Sequence, residues 1–321
     1  MINLYTVASS PMFPYARVFF GSLYKNTDVS KINKIFVLDS GLTKEQAAWL
    51  KDRYSKIEFI DTEERIISRR HKDQAWGKIV SLKTSTLREA FHSNKDFPYL
   101  MIDLDCFFIK DFYEELNLDK NFDVGICHRQ KNQPIGRAGF GCGPRSENEF
   151  KKLIEYNPNH TKSFHMDRAS GAFTGGCKYI GSFFLANNKK PEATLNFLDS
   201  WINEMAAGGG NLKESPALCR MVAGYKAGWV TKDHWKPERF TGADIKEFEE
   251  KDFSCYVGFS ESTKIVHFKS FGGRWPFSLK DAYKRRFNRI AGFNGYETVK
   301  EFVDEEYLER HASSSDFSIV E

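Results

Sequence analysis

Asp103 and Asp105 are the residues of this 321-residue chain best suited to chemistry by type and spacing. They stand two apart, just after the apolar run Tyr99-Leu100-Met101-Ile102. Side chains alternate along an extended backbone, so both carboxylates point to the same side. A continuous apolar run suits a strand buried on both faces. Open α/β sheets bind ligands at the carboxyl ends of such strands. Two hard oxygen donors there suit Mg2+ or Mn2+ holding a diphosphate. A solvated strand-to-turn boundary also carries Asp, and the spacing by itself does not separate the two.

The elements that must position this pair alternate between strand and helix. Residues 2–8 read as an apolar strand, and a helix follows near Tyr15 to Lys25. Lys34-Ile35-Phe36-Val37-Leu38 reads as a second strand, stopped by Asp39-Ser40-Gly41. Thr43 and Gln46 have capping-box spacing, which predicts a helix to about Tyr54. Ile57 to Ile60 is a third strand. This order implies a parallel sheet with helices on its faces. A longer helix is predicted from Gly77 to Phe91, with Ile79, Leu82, Thr86 and Ala90 on one face. Strands follow at 98–103, 122–127, 179–186 and 264–268. A helix begins at Pro191, with Leu195, Leu198, Ile202 and Met205 on one face. Another starts at Glu214-Ser215-Pro216 and runs to Gly224.

Residues 128–177 break the pattern: they are rich in Gly and basic residues, and so long an irregular segment is usually functional. They are expected to form a mobile loop over the acceptor, the plain alternative being an insertion without a role. After Pro276 the chain turns basic, with Lys284, Arg285, Arg286 and Arg289 beside Tyr283 and Phe287, and residues 297–311 read as a terminal helix. The division expected is a catalytic domain at 1–276 and a basic, helical extension at 277–321.

The net charge of +4 is too small to argue for nucleic acid by itself. Six cysteines lack C-x-x-C spacing, which fits scattered reduced thiols in an intracellular protein. Cys127, His128, Cys142 and His165 form a second, weaker metal candidate suited to zinc. No basic leader precedes the first strand, and no apolar run reaches the roughly 20 residues needed to span a membrane. The expectation is a soluble, cytoplasmic protein.

An order of motifs over residues 2–276 resembles the GT-A glycosyltransferases, in particular the glycogenin and bacterial galactosyltransferase-like retaining families. A helix carrying Lys78 and Arg88 precedes the apolar strand and its Asp103-Leu104-Asp105. Ile35-Phe36-Val37-Leu38-Asp39-Ser40-Gly41-Leu42 is similar to their second-strand segment. Gly181-Ser182-Phe183-Phe184-Leu185-Ala186-Asn187 is similar to their "N-A-G" strand, but Tyr179-Ile180-Gly181 departs from it. Ile265-Val266-His267-Phe268 followed by Gly272-Gly273-Arg274-Trp275-Pro276 resembles their late "H-F-x-G-x-x-K-P-W", with Arg274 in place of Lys and one residue late.

The resemblance implies a mixed, mostly parallel α/β sheet of Rossmann-like GT-A type, with a helical C-terminal extension. It implies a nucleotide-sugar donor, and Mn2+ or Mg2+ held by Asp103, Asp105 and His267. Thr6, Ala8 and Asp39 would lie near the nucleoside, with Lys78, Leu104 and Arg274 as further donor-binding positions. Glu214 falls where these families carry an acid in a "D-Q-D" motif, although Ser215 and Pro216 follow here. It would be the catalytic carboxylate, while a carboxylate at a helix N-terminus is also simply favourable. Charge developing on the departing diphosphate explains why a cation and an Arg belong together in such a site.

Three other readings stand beside this one. A sugar-nucleotide pyrophosphorylase uses a similar sheet, but Ala8-Ser9-Ser10-Pro11-Met12-Phe13-Pro14 is not its Gly-rich, basic phosphate loop. A non-catalytic nucleotide-sugar or glycan binder on the same scaffold is the second. The third makes the acceptor DNA, gripped by the 283–289 stretch in an enzyme that glycosylates modified bases. A saccharide acceptor is favoured over DNA because the basic cluster is short and the remaining charge is mixed. The donor sugar and the stereochemical course stay open.

Overall fold

A computed structural model describes residues 1–63, 72–128, 179–207, 214–218, 221–222, 242–254, 260–267 and 301–302. The chain divides into two compact units built from separated stretches. The first comprises Met1–Lys72, Ile102–Leu118 and Lys251–Glu321, and the second comprises Asp73–Met101 and Asp119–Glu250.

In the first unit, β1 (Ile2–Ala8) pairs in parallel with β2 (Ile32–Asp39), which pairs in parallel with β3 (Ile57–Asp61). Helices α1 (Phe13–Asn26) and α2 (Lys44–Arg53) are the crossovers. Helix α2 starts where its sequence requires. Thr43 Oγ1 accepts from the Gln46 amide at 3.2 Å, and the Gln46 side chain accepts from the Thr43 amide at 3.0 Å. That reciprocal capping box satisfies two amides the first turn otherwise leaves orphaned.

The first unit also holds a ribbon that the residue pattern does not announce. Strand β5 (Cys106–Phe108) pairs antiparallel with β9 (Ile265–His267), Cys106 lying opposite His267. All six residues of the ribbon are buried. Phe108 packs edge-on to Phe19 of α1, its amide donates to Ser22 Oγ at 3.1 Å, and its carbonyl accepts from Asn26 Nδ2 at 2.8 Å. Helix α4 (Tyr113–Leu116) follows.

In the second unit, α3 (Lys72–Ser93) leads to β4 (Tyr99–Ile102), and the strand order continues β4, β7 (Tyr179–Ala186), β6 (Val124–His128), β8 (Ile245–Glu249). Strand β6 runs antiparallel to β7 and parallel to β8. Across both units the pairings β1–β2, β2–β3 and β6–β8 are parallel and β6–β7 is antiparallel, and helices flank the strands. That is the mixed, mostly parallel arrangement the resemblance implies, where the element order implies a parallel one.

Helix α5 (Pro191–Ala207) buries Leu195, Leu198 and Met205 on the predicted face, together with Phe197 and Trp201. Helix α6 is described over Glu214–Leu218, and α7 spans Glu250–Phe253. Helix α3 differs from expectation in one respect. Its buried stripe runs through Val80, Lys83, Thr84, Leu87 and Phe91, whereas Leu82, Thr86 and Ala90 are half-buried. A lysine in that stripe is the reason the apolar pattern points to the neighbouring face.

Of the loop expected at 128–177, His128 ends β6 and the rest lies outside the described residues, as do the 277–321 extension, the basic stretch at 283–289 and the helix at 297–311, apart from residues 301–302. Among the described residues, no helix is long and apolar enough to cross a membrane.

Candidate metal centre and a buried carboxylate

The metal candidate is built wholly within the first unit. Strand β4 delivers the chain into Asp103, and Asp105 leads directly into β5. Strand β9 returns 162 residues later and sets His267 beside that aspartate, its Nε2 3.1 Å from Asp105 Oδ1. Asp103 Oδ2 lies 4.0 Å from the same nitrogen. Asp103 is the more open of the two carboxylates, 30% exposed against 11% for Asp105. Leu104, between them, is buried in the core.

The other face of the imidazole is also held. Ser254, buried just after α7, places its Oγ 3.0 Å from His267 Nδ1. In a neutral ring without a cation, Nε2–H donates to the Asp105 carboxylate and Nδ1 accepts from the Ser254 hydroxyl. Were Nε2 to ligate a cation, Nδ1 would carry the proton and Ser254 Oγ would accept from it. Metal-bound histidines usually have such an outer partner. Cys106 completes the cluster: ligand atoms of Asp105, Cys106 and His267 all lie within 4.8 Å of one another, and all three residues are buried.

The donor set fits a divalent cation. A separation of 3.1 Å between nitrogen and carboxylate oxygen matches two adjacent ligands on one ion with bonds of about 2.0–2.2 Å. A hydrogen bond accounts for that one contact as well, but not for the thiol of Cys106 lying within 4.8 Å of both groups.

The second unit holds Glu214 in a separate, tightly built setting. Its carboxylate forms an ion pair with Lys83 of α3, the two side chains 13% and 8% exposed. Its carbonyl accepts from Trp201 Nε1 at 3.1 Å, and the neighbouring Ser215 Oγ accepts from the Gly181 amide at 2.9 Å. Gly181 is glycine for a steric reason. A Cβ there would overlap Glu214 Cβ and stand 3.2 Å from its Oε2. Glycine is the one position of Tyr179-Ile180-Gly181 that agrees with the "N-A-G" pattern, and this clash is a physical reason for it.

No protein-family model matches the chain, and no curated protein sequence matches it. The chain is similar to solved glycosyltransferase structures. One is the galactosyltransferase LgtC in complex with donor and acceptor sugar analogs, at 13% identity and a TM-score of 0.47, covering 100% of this chain and 98% of that one. Another is the glycosyltransferase GlyE of Streptococcus pneumoniae TIGR4, at 12% identity and a TM-score of 0.46, covering 94% and 60%. The bifunctional WbbM is similar at 11% identity and a TM-score of 0.46, covering 94% and 51%.

The remaining predicted positions fall as follows. Thr6 is fully buried on β1, and its hydroxyl has no hydrogen-bond partner among the described residues. The carbonyl of Ala8 accepts from the Ser40 amide at 2.8 Å and the Ser40 hydroxyl at 3.0 Å. Asp39 Oδ1 accepts from the amides of Gly41 and Leu42 at 2.9 and 2.7 Å, so that oxygen shapes the turn after β2. Gly41 there has a φ of 121°, open to glycine at little cost. Lys78 belongs to α3, but its side chain lies outside the described residues, as does Arg274. Arg88 is tied to Asp199 of α5 through two bonds of 2.9 and 3.2 Å, and the Asp199 carboxylate raises its pKa further.

For the zinc candidate, Cys127 and His128 are consecutive on β6, with His128 Nε2 3.1 Å from Glu249 Oε1 on β8. Cys142 and His165 lie outside the described residues.

Lys83, Ser254 and Cys106 are the residues that sequence reasoning missed. Lys83 had a usable signal, since Val80, Thr84, Leu87 and Phe91 bracket it at helical spacing. Ser254 and Cys106 had none, because their significance depends on a strand pairing across most of the chain.

Proposed function

We propose that this protein is a metal-dependent glycosyltransferase of GT-A type, moving a sugar from a nucleotide-diphosphate sugar to a saccharide-type acceptor. The observation that carries the reading is the pairing of β9 with β5, which brings His267 to within 3.1 Å of Asp105 across 162 residues. A histidine and two carboxylates, one of them partly open, make a cation site with positions left for a diphosphate.

Asp103, Asp105 and His267 would hold Mn2+ or Mg2+, which supplies compensation for the negative charge that develops on the departing nucleoside diphosphate. Ser254 fixes the rotation and tautomer of His267. Buried Asp105 is oriented by the imidazole, while Asp103 keeps the exposure that an exchangeable ligand needs. Arg274 is assigned as a second positive group for the diphosphate, and Arg would grip it bidentately. Thr6, Ala8 and Asp39 are assigned to the nucleoside side of the first unit, and Lys78 and Leu104 to the donor.

Glu214 is the carboxylate proposed to act in catalysis. Lys83 sets a positive charge beside that carboxylate, close to the sheet and shielded from water. Trp201 and Gly181 fix the backbone that carries it.

The test is a thermal-shift panel of nucleotide sugars with and without Mn2+, followed by donor hydrolysis and transfer assays. A true donor raises the melting temperature only with the metal present, since ligands that bind the native state stabilise it by mass action. Turnover that survives excess chelator would overturn the metal-dependent reading. Donor binding without hydrolysis or transfer would make the protein a binder rather than an enzyme.

A further inference from the structure

We propose that Cys106 is itself a ligand of the cation, so that the site takes a borderline, thiolate-accepting metal such as Zn2+ or Co2+ in preference to Mg2+ or Mn2+. This rests on the reading of Asp103, Asp105 and His267 as a cation site, and departs from it in the ion: with Cys106 as a further ligand, Zn2+ or Co2+ binds more tightly than the Mn2+ or Mg2+ named above.

Three observations carry it. Cys106 lies directly opposite His267 across the β5–β9 ribbon. Directly opposed residues in an antiparallel pair project from the same face, so the register itself aims the sulfur and the imidazole together. Ligand atoms of Cys106, Asp105 and His267 all fall within 4.8 Å of one another. Cys106 is buried and its sulfur is not in a disulfide.

The chemistry decides which ion. Mg2+ and Mn2+ favour oxygen ligands, whereas a set of one sulfur, one imidazole nitrogen and carboxylate oxygens matches zinc and cobalt. The divalent series also places Co2+ and Zn2+ above Mn2+ for any mixed donor set. Coordination displaces the thiol proton to solvent, and the sulfur binds as thiolate.

The test is titration of the reduced, metal-stripped full chain with Co2+, followed by absorption. Wild type should develop a near-ultraviolet thiolate-to-cobalt charge-transfer band that saturates at one equivalent. Zn2+ should abolish it by displacement, while excess Mg2+ leaves it in place. C106S should lose the band and bind Co2+ weaker by on the order of tenfold or more. The same variant should keep its Mn2+ affinity, read from the free Mn2+ paramagnetic resonance signal.

Cobalt bound to wild type without the band, or a band retained in C106S, would overturn the proposal while leaving the cation site standing. Failure of wild type to bind either Co2+ or Mn2+ would remove the cation site, and this proposal with it. Should circular dichroism show C106S unfolded, C106A serves instead and must also lose the band. A band retained in a folded C106A belongs to another thiol and would overturn the proposal.

Discussion

Lys83 of α3 and Glu214 of α6 form an ion pair with both side chains almost shut away from water, 8% and 13% exposed. Removing one partner of such a pair strands the other as a buried charge, which costs about 3–5 kcal/mol. K83M and E214Q should each lower stability on that scale in urea denaturation. The double variant K83M/E214Q should be less destabilised than the sum of its singles, because neither charge is left behind. Additive losses would show that the two residues do not depend on each other. E214Q should also reduce turnover more than binding of the donor.

Glu214 requires the space that Gly181 leaves. G181A must push the carboxylate or its backbone aside, and overpacking of this kind costs about 1–3 kcal/mol. G125A is the control, since its Cβ would meet Phe248 Cε2 rather than Glu214. Both variants should lose stability, but only G181A should lower the turnover of protein that remains folded. Equal activity per folded molecule would separate Glu214 from catalysis.

Removing the cation should abolish activity without unfolding the protein. D105A and H267A are expected to lose measurable Mn2+ binding in calorimetry, with far-ultraviolet circular dichroism unchanged. D103A should weaken binding less, because Asp103 is the more exposed and more distant carboxylate. Mn2+ binding retained by H267A would contradict its assignment as a ligand.

Ser254 acts on the metal only through His267, so its effect should be graded. S254A should weaken Mn2+ binding by about 10–100-fold, the usual range for a partner that orients a ligating histidine. S254T keeps the hydroxyl and should recover part of that loss. A purely structural role predicts reduced thermal stability with unaltered Mn2+ affinity, so the two measurements together discriminate.

Much of this protein is written in local pattern. The alternation of apolar strands with helices determined the α/β class, because continuous apolar runs and period-3.6 burial are properties of short segments. Thr43 and Gln46 determined the start of α2, and the apolar run before Asp103-Leu104-Asp105 marked the strand end that carries the carboxylates. Nothing local, however, reveals Cys106–Phe108 as a strand. Three residues are too few for a period, and they become extended only by pairing with Ile265–His267. That pairing decided that His267 meets Asp105, that Ser254 reaches its other nitrogen and that Cys106 joins the cluster. Tertiary packing likewise turned Lys83 inward and required glycine at 181, since a charge enters a buried stripe only where its counter-charge waits, and Glu214 arrives there from 131 residues further along the chain.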